Sequence, residues 1–288
     1  HIATWYTKVE TFVVISGESL GLPQLPDSVI ETMMELNCVE QHVREKVADN
    51  FGGRVITAGR VAHINSDKQF GGDGRTKCQY RNRCIRGCPF GAYFSSNSST
   101  LPAAEATGNM TLRADSIVHE VMYDPDTKKA TGVKVIDRVT KETLEFKAKV
   151  IFLCASTIAS TSILMQSKSD RFPNGMGNDS DQLGRNIMDH HLGGGAFGKF
   201  DGFDDKIYKG RTPTGVYVPR FRNLGGDSNV SSFKRGYGYQ GSGSRSSWED
   251  AVSELSHGKD LKEAILKPGG WTFGIGGFGE VLPYQDNR

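Results

Sequence analysis

Apolar residues recur at helical spacing over residues 1–15 and again over 27–50, with Leu22-Pro23-Gln24-Leu25-Pro26 separating the two stretches. Asp27 is placed to cap the second helix. From Phe51 to Arg75 the pattern is short and broken by glycine, and small residues from Ser99 to Thr107 predict a helix that ends at Gly108-Asn109. The period then changes to two. Thr111 to Tyr123 alternates as a strand, Asp124-Pro125-Asp126-Thr127 is a turn, Ala130 to Val139 is a second strand and Thr143 to Lys147 a third. Lys149 to Cys154 is a continuous apolar run, the pattern of a strand buried on both faces of a parallel sheet, and it leads into a helix from Ala155-Ser156-Thr157 to about Ser167. Beyond Gly184 the chain predicts loops around Gly193-Gly194-Gly195, strands at Val216–Val218, Phe233–Gln240 and Trp271–Leu282, and a charged amphipathic helix from Trp248 to Lys267. The class is α/β in the mixed, α+β sense.

Composition narrows the picture only a little. The 288 residues, 37% apolar and 24% charged, are ample for one large core or two ordinary ones. A net charge of +2 gives no ground for a nucleic-acid partner. No run approaches the roughly eighteen apolar residues of a membrane span. The opening at His1 has no initiator methionine or leader, and the close at Arg288 interrupts a strand-and-turn pattern, so the expectation is an excerpt of a longer chain.

Chemistry concentrates in Cys78-Gln-Tyr-Arg-Asn-Arg-Cys84-Ile-Arg-Gly-Cys88-Pro89. Five cysteines are an odd number and do not suggest a disulfide framework. Three of them in so short a stretch can converge on one inorganic centre. The Cys-x3-Cys-Pro ending also closes ferredoxin ligand runs. With three thiols the natural centre is a three-iron, four-sulfur cluster. Structural zinc is the competitor, with a fourth ligand needed from His63 or elsewhere, and ordinary reduced thiols are the third reading. Arg81, Arg83 and Arg86 lie among the ligands, where positive charge would offset an anionic centre. Cys38 and Cys154 read as small buried side chains. Small residues at Ala155-Ser156 would let a cofactor approach the helix start.

Several segments together resemble the glucose–methanol–choline (GMC) oxidoreductase family. They are Leu101-Pro-Ala-Ala-Glu-Ala-Thr-Gly-Asn109 with Thr111-Leu-Arg113, Ala130-Thr-Gly-Val133, Val150 to Ser156, Leu183-Gly-Arg-Asn-Ile-Met-Asp-His190 and Phe278-Gly-Glu-Val-Leu-Pro283. The cysteine spacing resembles the cluster-bearing bacterial branch, the flavoprotein subunits of glucose, gluconate, fructose and glucoside 3-dehydrogenases. The resemblance implies a Rossmann-like FAD-binding domain, incomplete here, and a substrate domain on an antiparallel sheet. Residues 1–75 would be the helical and loop part of the substrate and cap region, 76–109 the cysteine loop and helix, 110–190 part of the FAD domain, and 191–288 the substrate domain. It implies noncovalent FAD, with backbone groups of Val118 reading the adenine edge and Cys154, Ala155 and Ser156 forming the turn beside the cofactor. It implies a three-iron cluster on Cys78, Cys84 and Cys88, a sugar or glycoside substrate, a small accessory subunit, a cytochrome c acceptor and a periplasmic location. The family's Gly-x-Gly-x-x-Gly loop is absent, and its catalytic His with a second His or Asn would fall beyond Arg288. His190 and His191 therefore read as packing or loop-anchoring residues rather than as that pair. Trp5, Tyr80, Tyr93, Trp248 and Trp271 are the aromatics that could stack on a sugar. A metal-stapled, non-catalytic binding module and an oxygen-using GMC oxidase are the alternatives.

Overall fold

The computed structural model describes residues 2–67, 74–206, 210, 213–245 and 257–288. The chain forms two compact units, one of His1–Met110 with His191–Gly279 and the other of Thr111–His190 with Glu280–Arg288. Each carries its own antiparallel sheet, so the mixed α/β class holds; the one parallel pairing among the described residues is between two short strands of the first unit.

In the first unit, α1 (Ala3–Val13) ends at buried, left-handed Val14 and passes into β1 (Ile15–Gly17). β1 pairs in parallel with β2 (Glu31–Thr32) and antiparallel with β4 (Val61–Ala62). The helix expected over 27–50 is therefore shorter: α2 spans Cys38–Asn50. Two competing demands shorten it. The Asp27 carboxylate accepts the Leu20 and Gly21 N–H groups at 3.0 and 2.8 Å and pairs with Arg60 at 3.2 Å, while Glu31 and Thr32 are held in the ladder. The cap is Asn37. Its Oδ1 accepts the Val39 and Glu40 N–H groups, and Glu40 Oε2 accepts the Asn37 N–H at 3.0 Å, a complete capping box.

α2 lies on a five-stranded sheet of β3 (Thr57–Ala58), β8 (His190–Phe200), β9 (Val216–Val218), β10 (Gly238–Arg245) and β11 (Trp271–Glu280), in the order β3-β9-β10-β11-β8. Alternation along β9 and β11 turns Val216, Val218, Trp271 and Phe273 to one face, where they bury against Val39 and Ile56 with Val43 and Val47 packed beside them. The Trp271 indole N–H donates to Phe203 O at 3.1 Å, so its polar edge is satisfied. The glycines at 193–195, expected in a loop, lie inside β8. A Cβ on Gly195 would meet Ile275 O at 2.8 Å, so the smallness of Gly195 serves close strand approach. The strand expected from Phe233 begins at Gly238, and the expected helix near the end is α5 (Gly258–Leu266), with Trp248 outside the described residues. A short α3 (Thr100–Glu105) follows the cysteine loop.

The second unit is a three-stranded meander, β5 (Ser116–Asp124), β6 (Lys129–Asp137) and β7 (Thr143–Lys147). Its first turn closes on Asp124, whose carboxylate accepts the Asp126 N–H and the Thr127 hydroxyl. α4 (Ser156–Gln166) is fastened to β5 through Ser167, whose hydroxyl accepts the Val121 N–H at 2.8 Å and donates to Ile163 O at 2.7 Å. The buried strand expected at 149–154 is not one here. The segment pairs with no strand among the described residues, Val150 and Phe152 are 66% and 83% exposed, and Cys154 is exposed rather than buried. A strand of this kind needs neighbours on both edges and both faces, and the described residues supply none.

Candidate functional site

The cysteine loop is anchored from both sides. The Cys78 N–H donates to Ile64 O at 2.9 Å and the Thr76 N–H to Phe90 O at 2.8 Å, so the entry to the loop runs beside its exit. Left-handed Tyr80, Asn82 and Gly87 let the intervening chain curl, and the Gly87 N–H closes a tight turn onto Cys84 O at 3.2 Å. Cys78, Cys84 and Cys88 all line one hollow of about 20 Å³, together with His63. Burial pushes the Cys78 thiol up, against the lowering hydrogen bond that its Sγ accepts from the Tyr80 N–H at 3.3 Å. His63 is 1% exposed, its Nδ1 has no hydrogen-bond partner, and burial pulls its imidazole down to about 4. Arg75 is also buried, with Nη2 unpartnered.

A thiolate-held centre can be tested against these features. Three soft donors on one hollow, with orphaned nitrogen groups of His63 and Arg75 nearby, fit it in donor chemistry. Among the described residues, however, no group of three or more His, Cys, Asp or Glu side chains stands in an arrangement that could hold a metal ion. A hollow of about 20 Å³ admits roughly one water. The loop brings the three cysteines to one place without closing them on a common point.

The second unit brings three of the four expected cofactor residues together. Val118, Cys154 and Ala155 line a hollow of about 290 Å³ whose other walls include Gly132, Phe146 and Ile163. Ser156 is the first residue of α4 and is left-handed at φ 68°, with no side-chain cap on the helix start. The β5–β6 register shifts between Val118 and Glu120, which sets Val118 beside an irregularity in the ladder.

A larger hollow, about 620 Å³, is the part of the five-stranded sheet's apolar face that α2 leaves open, walled by Val47, Phe51, Phe221, Tyr239 and Ile275. His191 reaches its edge; His190 is exposed and stands 3.8 Å from Glu280. Of the aromatics noted in the sequence, Trp271 is buried in the core and Trp5 is 64% exposed. Sequence reasoning missed Arg75, because nothing in the spacing marks this residue, three before the first cysteine, as the buried one.

The chain belongs to the GMC oxidoreductase family, whose model matches residues 19–192. Among curated proteins it is similar to the fructose dehydrogenase large subunit of Gluconobacter japonicus, 29% identical over 220 residues, which are 75% of this chain and 38% of that protein. It is also similar to the paromamine 6'-oxidase of Streptomyces fradiae, 29% identical over 116 residues (40% of this chain, 21% of that one). A third relative is the 2-methyl-1,2-propanediol dehydrogenase of Mycolicibacterium austroafricanum, 31% identical over 110 residues (38% and 19%). The chain thus spans 38% or less of the length of these relatives.

Proposed function

We propose that the polypeptide carrying this chain is a FAD-dependent dehydrogenase that oxidises a CH–OH group of a sugar or glycoside. In this reading its electrons leave through a three-iron cluster on Cys78, Cys84 and Cys88 to a cytochrome c, beside a small accessory subunit in the periplasm. The observation that carries it is the presence, within one GMC chain, of an apolar hollow at the start of α4 and a second hollow lined by three thiols. When bound, FAD supplies the hydride acceptor and the cluster a one-electron acceptor. Backbone groups at Val118 would hold the adenine edge. The Ala155 methyl obstructs a close approach little, and the free N–H groups at the start of α4 favour negative charge there. Residues 110–190 would serve the FAD domain and 191–288 the substrate domain, with the sheet of β3 and β8–β11 as its frame. Oxidation at C3 of a glycoside is the finer assignment within this reading.

A second reading, an oxidase that delivers electrons to oxygen without a cluster, is favoured by one observation: a relative named as an oxidase, 29% identical, matches 40% of this chain. One experiment separates them. The whole protein is purified for its visible spectrum and iron and sulfide content, then mixed anaerobically with fructose, glucose and a glycoside. Flavin bands bleached by a sugar, a broad brown shoulder and about three irons per flavin are expected. Flavin without iron, together with rapid oxygen uptake, would establish the oxidase; a colourless zinc protein would remove both readings.

A further inference from the structure

The hollow of about 620 Å³ on the five-stranded sheet has no role in the reaction proposed above, and its lining residues all belong to the first unit. Its floor is formed by β9, β10 and β11, whose backbone groups are already paired. Tyr239, for example, stands opposite Val218 on one side and Gly277 on the other. The floor therefore offers a ligand side chains rather than free N–H and C=O groups. Those side chains are mainly rings and branched aliphatics. Phe221 and Tyr239 stack with centroids 6.1 Å apart, and Tyr237 stands edge-on to them at 5.6 and 5.5 Å. Val47 and Ile275 add aliphatic wall.

A cation enters this apolar place from just beyond the end of α2. The Arg54 guanidinium lies over the Phe221 ring at 4.2 Å and over the Phe51 ring at 5.4 Å. Arg54 lines this hollow and also an adjoining one of about 370 Å³, whose wall includes Asp227. Its charge is felt inside the larger hollow: burial and the neighbouring Tyr237 push the Tyr239 phenol up, and Arg54 acts against that rise. Small-molecule sites have this form, roughly 300–1,000 Å³ of mostly apolar wall with a few polar groups that fix orientation. A sugar would leave most of its hydroxyls without partners against such walls.

We propose that this hollow binds an aromatic carboxylate, with its rings against Phe221, Tyr237 and Tyr239 and its carboxylate on Arg54. The ring-lined wall selects the ring system, and the guanidinium, with its fork of N–H donors, selects the acid over a neutral analogue. The assignment depends on neither the flavin nor the cysteine loop.

The test is calorimetric titration of the whole protein with naphthoate and with naphthylmethanol, which carries the same rings without the charge. Wild type, Arg54→Gln, Arg54→Lys and Val47→Trp are compared, each first checked for cooperative melting. Wild type should bind naphthoate at least about tenfold more tightly than the alcohol. Arg54→Gln should remove that preference while binding the alcohol as wild type does, and Arg54→Lys should keep part of it. Val47→Trp fills the hollow and should weaken both ligands at least about tenfold. Where it does not fold, Ala196→Phe on exposed β8 blocks the hollow from another wall and should do the same. Equal affinity for acid and alcohol in wild type, or a preference that survives Arg54→Gln, would overturn the inference. Failure of wild type to bind naphthoate would overturn it as well. Light scattering over a dilution series would then tell whether a second copy of the chain, rather than further polypeptide of the same one, occupies the hollow.

Discussion

Glu40→Ala should be the most damaging single substitution on α2. Glu40 is 2% exposed, and its two carboxylate oxygens accept the Asn37 N–H and the Gly243 N–H, each at 3.0 Å. Asn37 completes the circuit by donating from Nδ2 to Gly243 O at 2.9 Å. Gly243 permits this approach, since a Cβ on it would lie 2.8 Å from Asn37 Oδ1. Truncation removes two hydrogen bonds to a charged acceptor, each worth about 1.5–3 kcal/mol, and leaves a buried Gly243 N–H without its partner. Allowing for water and relaxation, the expected loss is about 3–5 kcal/mol. In a unit of this size that lowers the midpoint by about 6–20 °C. The assay is urea and thermal unfolding of the whole protein followed by tryptophan emission, since Trp271 lies in the core beneath α2. Asn37→Ala and the double variant complete a cycle. Because both residues meet at Gly243, the two losses should fall short of additivity by about 1 kcal/mol or more. A Glu40→Ala loss below about 1 kcal/mol, or simple additivity, would refute the view that this circuit holds the helix to the sheet.

Cys78→Ser replaces a soft thiolate with a hydroxyl, so iron content and brown absorbance should fall steeply while an anaerobic sugar still bleaches the flavin; undiminished iron would exclude this loop. Folding keeps His63 neutral, with its pKa lowered from 6.5 to about 4, so its contribution is fully present above pH 6.5 and is lost as pH falls toward 4. Stability curves should therefore show an acid-side loss of up to about 3 kcal/mol that His63→Gln lacks, and parallel curves would rule it out. Ala155→Phe would push a ring into the hollow of the second unit, and flavin retained through gel filtration should drop about tenfold or more, whereas Cys154→Ser should retain it.

Local chemistry was legible where it acts between near neighbours. Asp124-Pro-Asp-Thr127 set the β5–β6 turn, alternation set the strands around it, and the small-residue start at Ser156 set α4. The errors lie where distant partners decide. Glu31 and Thr32 carry helical periodicity, yet β1 claims them for a parallel pairing, and Asp27 is drawn to Leu20, Gly21 and Arg60 instead of capping a helix. Gly193–Gly195 look like loop residues, yet they lie inside β8, where Ile275 passes close to Gly195. Apolar content alone marked 149–154 as a strand, but strands exist only as pairs. The same division holds at the thiol centre. Cysteine spacing announced the shared hollow, whereas the burial of Arg75 beneath it depends on Val13 and Gly91, which no local window contains.

The tie between Asn37 and Gly243 spans 206 residues of chain, and that separation has a meaning in time. At roughly 5–20 residues per second, a ribosome needs about 10–40 s to progress from one to the other. Throughout that interval the stripe of Val39, Val43 and Val47 has no β10 or β11 to lie on. The cysteines at 78, 84 and 88 emerge early in the same interval. The cysteine loop is thus synthesised many seconds before the sheet of the first unit can close.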